Sequence, residues 1–180
     1  MRDSKYKKLN KQFIRRWSPQ SFLPDKIEPE EIETLFEAAR WAPSCYNDQP
    51  WDFYYADDEK SKEHFVDALV PNNQKWAKKA PLIIFLFARI NFSHNNKENK
   101  WAEFDCGSAW MSLSLQAQKL GLYAHAMAGF DGQKAIEISG LNPDKYKPMV
   151  AIAVGKIDED KQQMEKPNQR VEIDKIYRKI

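Results

Sequence analysis

A chain of 180 residues, 42% hydrophobic and 30% charged, can bury the core of one globular domain and is expected to be soluble and cytoplasmic. A net charge of +2 excludes the broad basic field that would argue for nucleic acid. The two cysteines, Cys45 and Cys106, form no C-x-x-C, which speaks against a zinc site or a disulfide framework and suits a reducing compartment.

The first residues, Met1-Arg2-Asp3-Ser4-Lys5-Tyr6-Lys7-Lys8, are too polar for a signal peptide. Residues 5–14 predict a basic, weakly amphipathic helix, with lysines on a solvated face. A second helix begins at Glu28. Pro29 suits the first helical position, and Glu30, Glu31 and Glu33 complement the positive end of the helix dipole. Ile32, Leu35, Phe36 and Ala39 share one buried face, and Pro43 ends the helix because the residue before proline is pushed out of helical backbone space. The loop from Ala42 to Trp51 then concentrates two prolines, a serine, an asparagine, a glutamine and two large aromatics.

A strand over 51–56 and a helix over 57–69 come next. Pro71-Asn72-Asn73 reads as a turn, followed by a short basic helix to Lys79. Residues 81–87 form an almost unbroken apolar run, as in a strand buried on both faces, and too short to span a membrane. The polar stretch 91–100 predicts an exposed loop. The longest helix covers 101–120, and its Gly107, Ser108, Ala109, Ser112, Ser114 and Ala117 suit close approach of a second helix. Gly121 caps it, and a strand over 122–128 ends at Gly129-Phe130-Asp131-Gly132. A helix to Ser139 and a strand over 149–155 follow. The tail from Asp158 is charged and offers little core of its own. Strands alternating with helices leave α/β and α+β both open.

Side-chain chemistry is sparse. Ser44 lacks an elbow motif, Cys45 has no identifiable histidine partner, and His64, His94 and His125 are scattered. There is no G-x-G-x-x-G and no G-K-[ST], so a phosphate would need arginine rather than a glycine cradle. Arg15-Arg16-Trp17-Ser18 offers a guanidinium beside a hydroxyl. Taken alone, that cluster reads first as a loop start with solvated arginines. The 42–51 loop divides evenly between a structural turn and the wall of a flat heteroaromatic ligand. Six Trp, seven Tyr and ten Phe suit either a gripped aromatic ligand or ordinary core.

Taken together, these segments resemble the nitroreductase family of flavin enzymes. Arg16-Trp17-Ser18-Pro19-Gln20-Ser21-Phe22 is similar to its N-terminal Arg-x-Ser-x-(Arg/Lys)-x-Phe motif. Ala38-Ala39-Arg40-Trp41-Ala42-Pro43-Ser44, continuing through Asn47-x-Gln49-Pro50-Trp51, is similar to its second motif. Asn73, Leu120-Gly121-Leu122, Ala128-Gly129-Phe130-Asp131 and Arg170 follow in the family's order over nearly the whole chain.

The resemblance implies an α+β nitroreductase-like sandwich, with a mainly antiparallel central sheet flanked by helices, in an intertwined homodimer with two FMN sites at its interface. Residues 1–180 would form one flavin-binding domain, with 158–180 a C-terminal arm to the partner subunit. Arg16, Ser18 and Arg170 would hold the FMN phosphate, with Trp17 in the same cofactor-binding motif. Pro43, Ser44, Cys45 and Asn47, with Gln49, would line the isoalloxazine from the other subunit. Asn73 and Gln20 would bond its pyrimidine edge, and backbone groups near Ala128 and Gly129 would face N5. Gln20 departs from the family's Arg or Lys and removes a cation beside the ring. Trp76 would stack on the flavin, roof the substrate pocket or simply pack its helix.

The implied activity is an FMN-dependent NAD(P)H oxidoreductase. NADH or NADPH would deliver hydride to flavin N5, and a nitroaromatic, quinone or enone acceptor would take it up in ping-pong turnover. No catalytic side chain, metal, nucleic acid or membrane is called for. A flavin-binding carrier or sensor without turnover, and a helical protein whose basic N-terminus engages an acidic partner, are the alternatives.

Overall fold

The computed structural model describes residues 4–158, 160 and 167–180. Its centre is a four-stranded sheet in the order β1-β2-β4-β3, built from β1 (Trp51–Ala56), β2 (Leu82–Arg89), β3 (Tyr123–Met127) and β4 (Tyr146–Gly155). All three neighbouring pairs are antiparallel, which decides between the two classes the sequence left open in favour of α+β.

β2 explains the layering. Leu82, Ile84, Leu86 and Ala88 project to one face, where they meet Ile32, Leu35 and Ala39 of α2 (Pro29–Arg40) and Ala109, Leu113 and Ala117 of α5 (Ala102–Lys119). Ile83, Phe85 and Phe87 project to the other, against Phe65 of α3 (Glu59–Asp67), Ala77 of α4 (Pro71–Ala77) and Ala135 and Ile136 of α6 (Gly132–Ser139). A strand with alternating side-chain directions and helices on both sides must be apolar throughout, hence the unbroken run.

Local signals set the helix ends. Glu28 and Glu31 form a reciprocal capping box across the first turn, with Pro29 between them, and Asp58 and Asp131 cap α3 and α6 by accepting backbone N–H groups. Gly140 closes α6 at φ 65°, left-handed backbone that glycine adopts without strain.

Three expectations need correction. The helix expected over 5–14 is only α1 (Gln12–Arg15), preceded by turns; clustered lysines and no buried face leave nothing to hold a longer one. Asn73 is not in a turn but inside α4, because Pro71 opens that helix after Val70 in extended backbone. β4 starts at Tyr146 rather than at residue 149. Pro148 is tolerated within it because the register shifts there: Pro148 lies opposite Phe87 and Val150 opposite Leu86, leaving Met149 as a bulge.

The arm expected over 158–180 falls partly on residues 159 and 161–166, which lie outside the described residues. Among the described residues, no helix is long and apolar enough to cross a membrane.

Candidate functional site

The chain leaves α1 as an extended segment. Along it, Trp17 and Pro19 turn inward and are buried, while Ser18 and Gln20 face outward and Arg16 is half-buried. Trp17 packs edge-on against Tyr123 of β3, with ring centres 6.1 Å apart, so its side chain braces the segment rather than facing outward.

Arg16 and Ser18 open onto a cavity of about 550 Å³, shared with Trp110 and Ser114 of α5, Ala126 of β3, and Arg170 from the other end of the chain. Two guanidiniums and a hydroxyl line one cavity, and these are groups of the kind that bind anions, arginine often bidentately. Ser114 is almost fully buried, and its hydroxyl has no hydrogen-bond partner among the described residues, so a polar group there is left to be satisfied. A phosphorylated small molecule therefore fits the residues present.

Asn73 and Gly129 meet directly. Asn73 Nδ2 donates to the Gly129 carbonyl at 3.0 Å, and Val70 N–H donates to the same oxygen at 3.1 Å. The approach leaves no room for a side chain: a Cβ on Gly129 would stand 2.8 Å from Val70 Cγ2 and 2.9 Å from Asn73 Nδ2. Ala128 beside it is exposed. Trp76, one turn beyond Asn73, stacks against Phe22 at 6.1 Å and lies 4.7 Å from His125, so it takes part in internal packing.

Among the described residues, the loop after α2 has the most unusual backbone. Tyr46, Asn47 and Gln49 all have positive φ, at 54°, 55° and 49°. Such a cluster of non-glycine residues persists only where surrounding contacts over-determine it. Gln49 N–H donates to Ser44 Oγ at 3.0 Å, and Cys45 N–H to the buried carboxylate of Asp105 on α5 at 3.0 Å. Asp48, buried, accepts from Ser93 N–H at 2.8 Å, Ser93 Oγ at 2.6 Å and Arg89 Nη2 at 3.0 Å. Burial pushes its carboxyl up, but the Ser93 and Arg89 contacts outweigh burial and hold it below the usual aspartate range. Pro43 and Asn47 are exposed, while Ser44, Cys45 and Gln49 are half-buried.

The expected site residues thus fall into three groups. Arg16, Ser18 and Arg170 share the cavity, with Trp17 and Gln20 on the same segment. Asn73 and Gly129 are bonded, with Ala128 adjacent. Pro43, Ser44, Cys45, Asn47 and Gln49 belong to the strained loop and are not among the residues lining that cavity. Sequence reasoning missed Asp48, Asp105 and Ser114. Only Asp48 carried a signal, as a lone carboxylate in a loop of amides and aromatics.

Other chemistry is quiet. Cys106 is buried, and burial, then the neighbouring carboxylates, push its thiol up to about 12. No group of His, Cys, Asp or Glu among the described residues could hold a metal ion.

The nitroreductase family model matches residues 14–71 and 62–156 of the chain. The crystal structure of an oxidoreductase containing FMN superposes with a TM-score of 0.87 at 34% identity, covering 98% of this chain and 93% of the other. A nitroreductase family protein from Streptococcus pneumoniae superposes with a TM-score of 0.80 at 21% identity, over 94% of this chain and 98% of its own, a likeness of fold. Among curated relatives, the CLA biosynthesis enone reductase of Lactiplantibacillus plantarum is 27% identical over 184 residues, covering 82% of each chain.

Proposed function

Because the chain belongs to the nitroreductase family and has the fold of an FMN-dependent NAD(P)H oxidoreductase, we propose that it binds FMN in the cavity of Arg16, Ser18 and Arg170. There it would use NADH or NADPH to reduce small acceptors of the nitroaromatic, quinone or enone type. The observation that carries this reading is the convergence of two arginines from opposite ends of the chain on one cavity with a serine hydroxyl.

A phosphate monoester carries roughly −1.5 to −2 charge near neutral pH, which two guanidiniums match. Arg16 and Arg170 bind it, and Ser18 adds a hydroxyl. Gln20, outward on the same segment, and Asn73 hydrogen-bond the pyrimidine edge of the ring. Asn73, by donating to the Gly129 carbonyl, also fixes the backbone at Ala128 and Gly129, the groups that would face flavin N5. When bound, FMN would supply the redox chemistry between the reduced nicotinamide and the acceptor. The chain's own work is to bind and orient, so no acid or nucleophile is required of it. Nicotinamide and acceptor would use one place in turn, as ping-pong turnover requires.

The protein acts as a homodimer in this reading. Pro43, Ser44, Cys45, Asn47 and Gln49 line the partner's flavin, and residues 158–180 form an arm to the partner. Support comes from the exposure of Trp41, Tyr46 and Phe104, each more than 70% accessible at 73%, 82% and 72%. On α5, Phe104, Gly107, Ser108 and Met111 recur at helical spacing beside that exposed ring, a narrow stripe of the kind that admits a second helix.

An absorbance spectrum and an FMN titration test the proposal. The protein takes up FMN, saturating at two per homodimer. A colourless protein that fails to take up added FMN overturns it.

A further inference from the structure

We propose that His125 is a positioning residue for the cofactor, holding the extended segment 16–20 so that Arg16, Ser18 and Gln20 face the ligand; this rests on the FMN reading above. His125 Nδ1 lies 2.8 Å from the Pro19 carbonyl oxygen. A carbonyl only accepts, so Nδ1 carries the proton and donates, which fixes the tautomer and the ring's orientation. Proline has no N–H, so that carbonyl is the only backbone hydrogen-bonding group Pro19 possesses.

The grip is periodic. Tyr123 and His125 lie two apart on β3 and so project from the same face of the strand. Trp17 and Pro19 are two apart on the extended segment and point inward. Tyr123 takes Trp17 and His125 takes Pro19, one by an aromatic edge and one by a hydrogen bond. Fixing the inward residues fixes the outward ones between and beside them: Arg16, Ser18 and Gln20.

His125 also contacts α4, the helix proposed for the ring edge. Its ring lies 4.7 Å from that of Trp76 and is tilted 33° to it. Trp76 follows Asn73 by one turn of α4, and Asn73 holds Gly129. One imidazole therefore contacts both the segment proposed for the phosphate and the helix proposed for the ring edge.

Two substitutions separate these contacts. His125→Phe keeps a ring against Trp76 and loses the donor; His125→Asn keeps an amide N–H near the Nδ1 position and loses the ring. FMN affinity is read by flavin fluorescence quenching on the apoprotein, with thermal unfolding of each apoprotein alongside. His125→Phe is expected to weaken FMN about tenfold, the effect of a lost, partly buried hydrogen bond, and His125→Asn to stay within about threefold of wild type. Equal loss in both variants, or in neither, overturns the proposal while leaving FMN binding standing; a wild type that binds no FMN removes both. Nitrogen NMR of the wild-type imidazole needs no substitution: the neutral ring is expected as the Nδ1–H tautomer, and the Nε2–H tautomer overturns the proposal.

Discussion

Arg89, at the end of β2, reaches across to Asp48 in the loop after α2: its Nη2 lies 3.0 Å from Oδ2, with the Asp48 side chain 0% and the Arg89 side chain 28% exposed. The same guanidinium nitrogen also donates to the Asp48 backbone carbonyl at 2.8 Å. The pair ties the loop with three positive-φ residues to the sheet. Asp48→Asn is expected to cost about 1–3 kcal/mol in urea unfolding, since the asparagine keeps an acceptor for Ser93 but loses the charge facing Arg89. The folded carboxyl sits below its ordinary value of 3.8, so its contribution is fully present above that value and is lost as pH falls through the lower folded value. The stability gap between wild type and Asp48→Asn should therefore be full above about pH 5 and close in stronger acid.

Gly129→Ala places a methyl group against Val70 and Asn73. Overpacking of this kind costs about 1–3 kcal/mol, measurable as a lower denaturation midpoint. It also displaces the Asn73 amide from the Gly129 carbonyl, so FMN retention falls further than the stability loss alone requires. Asn73→Ala with Gly129 intact introduces no clash and leaves the Gly129 carbonyl its Val70 N–H donor, so it should bind FMN weakly while unfolding close to the wild type.

Arg16→Ala and Arg170→Ala distinguish the phosphate from the ring. Each is expected to weaken FMN about 10- to 100-fold, the range for a charge-assisted hydrogen bond. Riboflavin, which lacks the phosphate, should change less than about threefold. Parallel losses for both flavins would place the arginines elsewhere.

Gln20 leaves the proposed pyrimidine edge without a side-chain cation. Gln20→Lys supplies one and stabilises the negative charge that reduction brings to the ring. The midpoint potential, by spectroelectrochemistry, should rise by roughly 20–50 mV, corresponding to a Coulombic gain of about 1–2 kcal/mol for a two-electron couple. Equal potentials in wild type and variant would remove Gln20 from the ring edge.

Much of this architecture is legible in residue patterns. The apolar run of β2 announced a strand buried on both faces, and the spacing of Ile32, Leu35 and Ala39 announced the core face of α2. Local chemistry misled where two rules compete. Pro71 can open a turn or a helix, and Val70 in extended backbone decides for the helix; Pro148 ends a regular strand but not one with a bulge beside it. The residues proposed for the site from motifs, such as Arg16, Ser18 and Asn73, stand out in the sequence itself. Asp48–Arg89, Asp105–Cys45 and His125–Pro19 do not, because each joins residues 41 to 106 positions apart and depends on the finished fold.

Anaerobic mixing of the FMN-loaded protein with NADH or NADPH tests the central claim most directly, followed at the visible flavin absorbance. The account predicts bleaching by at least one nicotinamide, and recovery of the band when a quinone, enone or nitroaromatic is added after the nicotinamide is removed. A yellow protein that neither nicotinamide bleaches would be a flavin carrier or sensor, and would contradict the account.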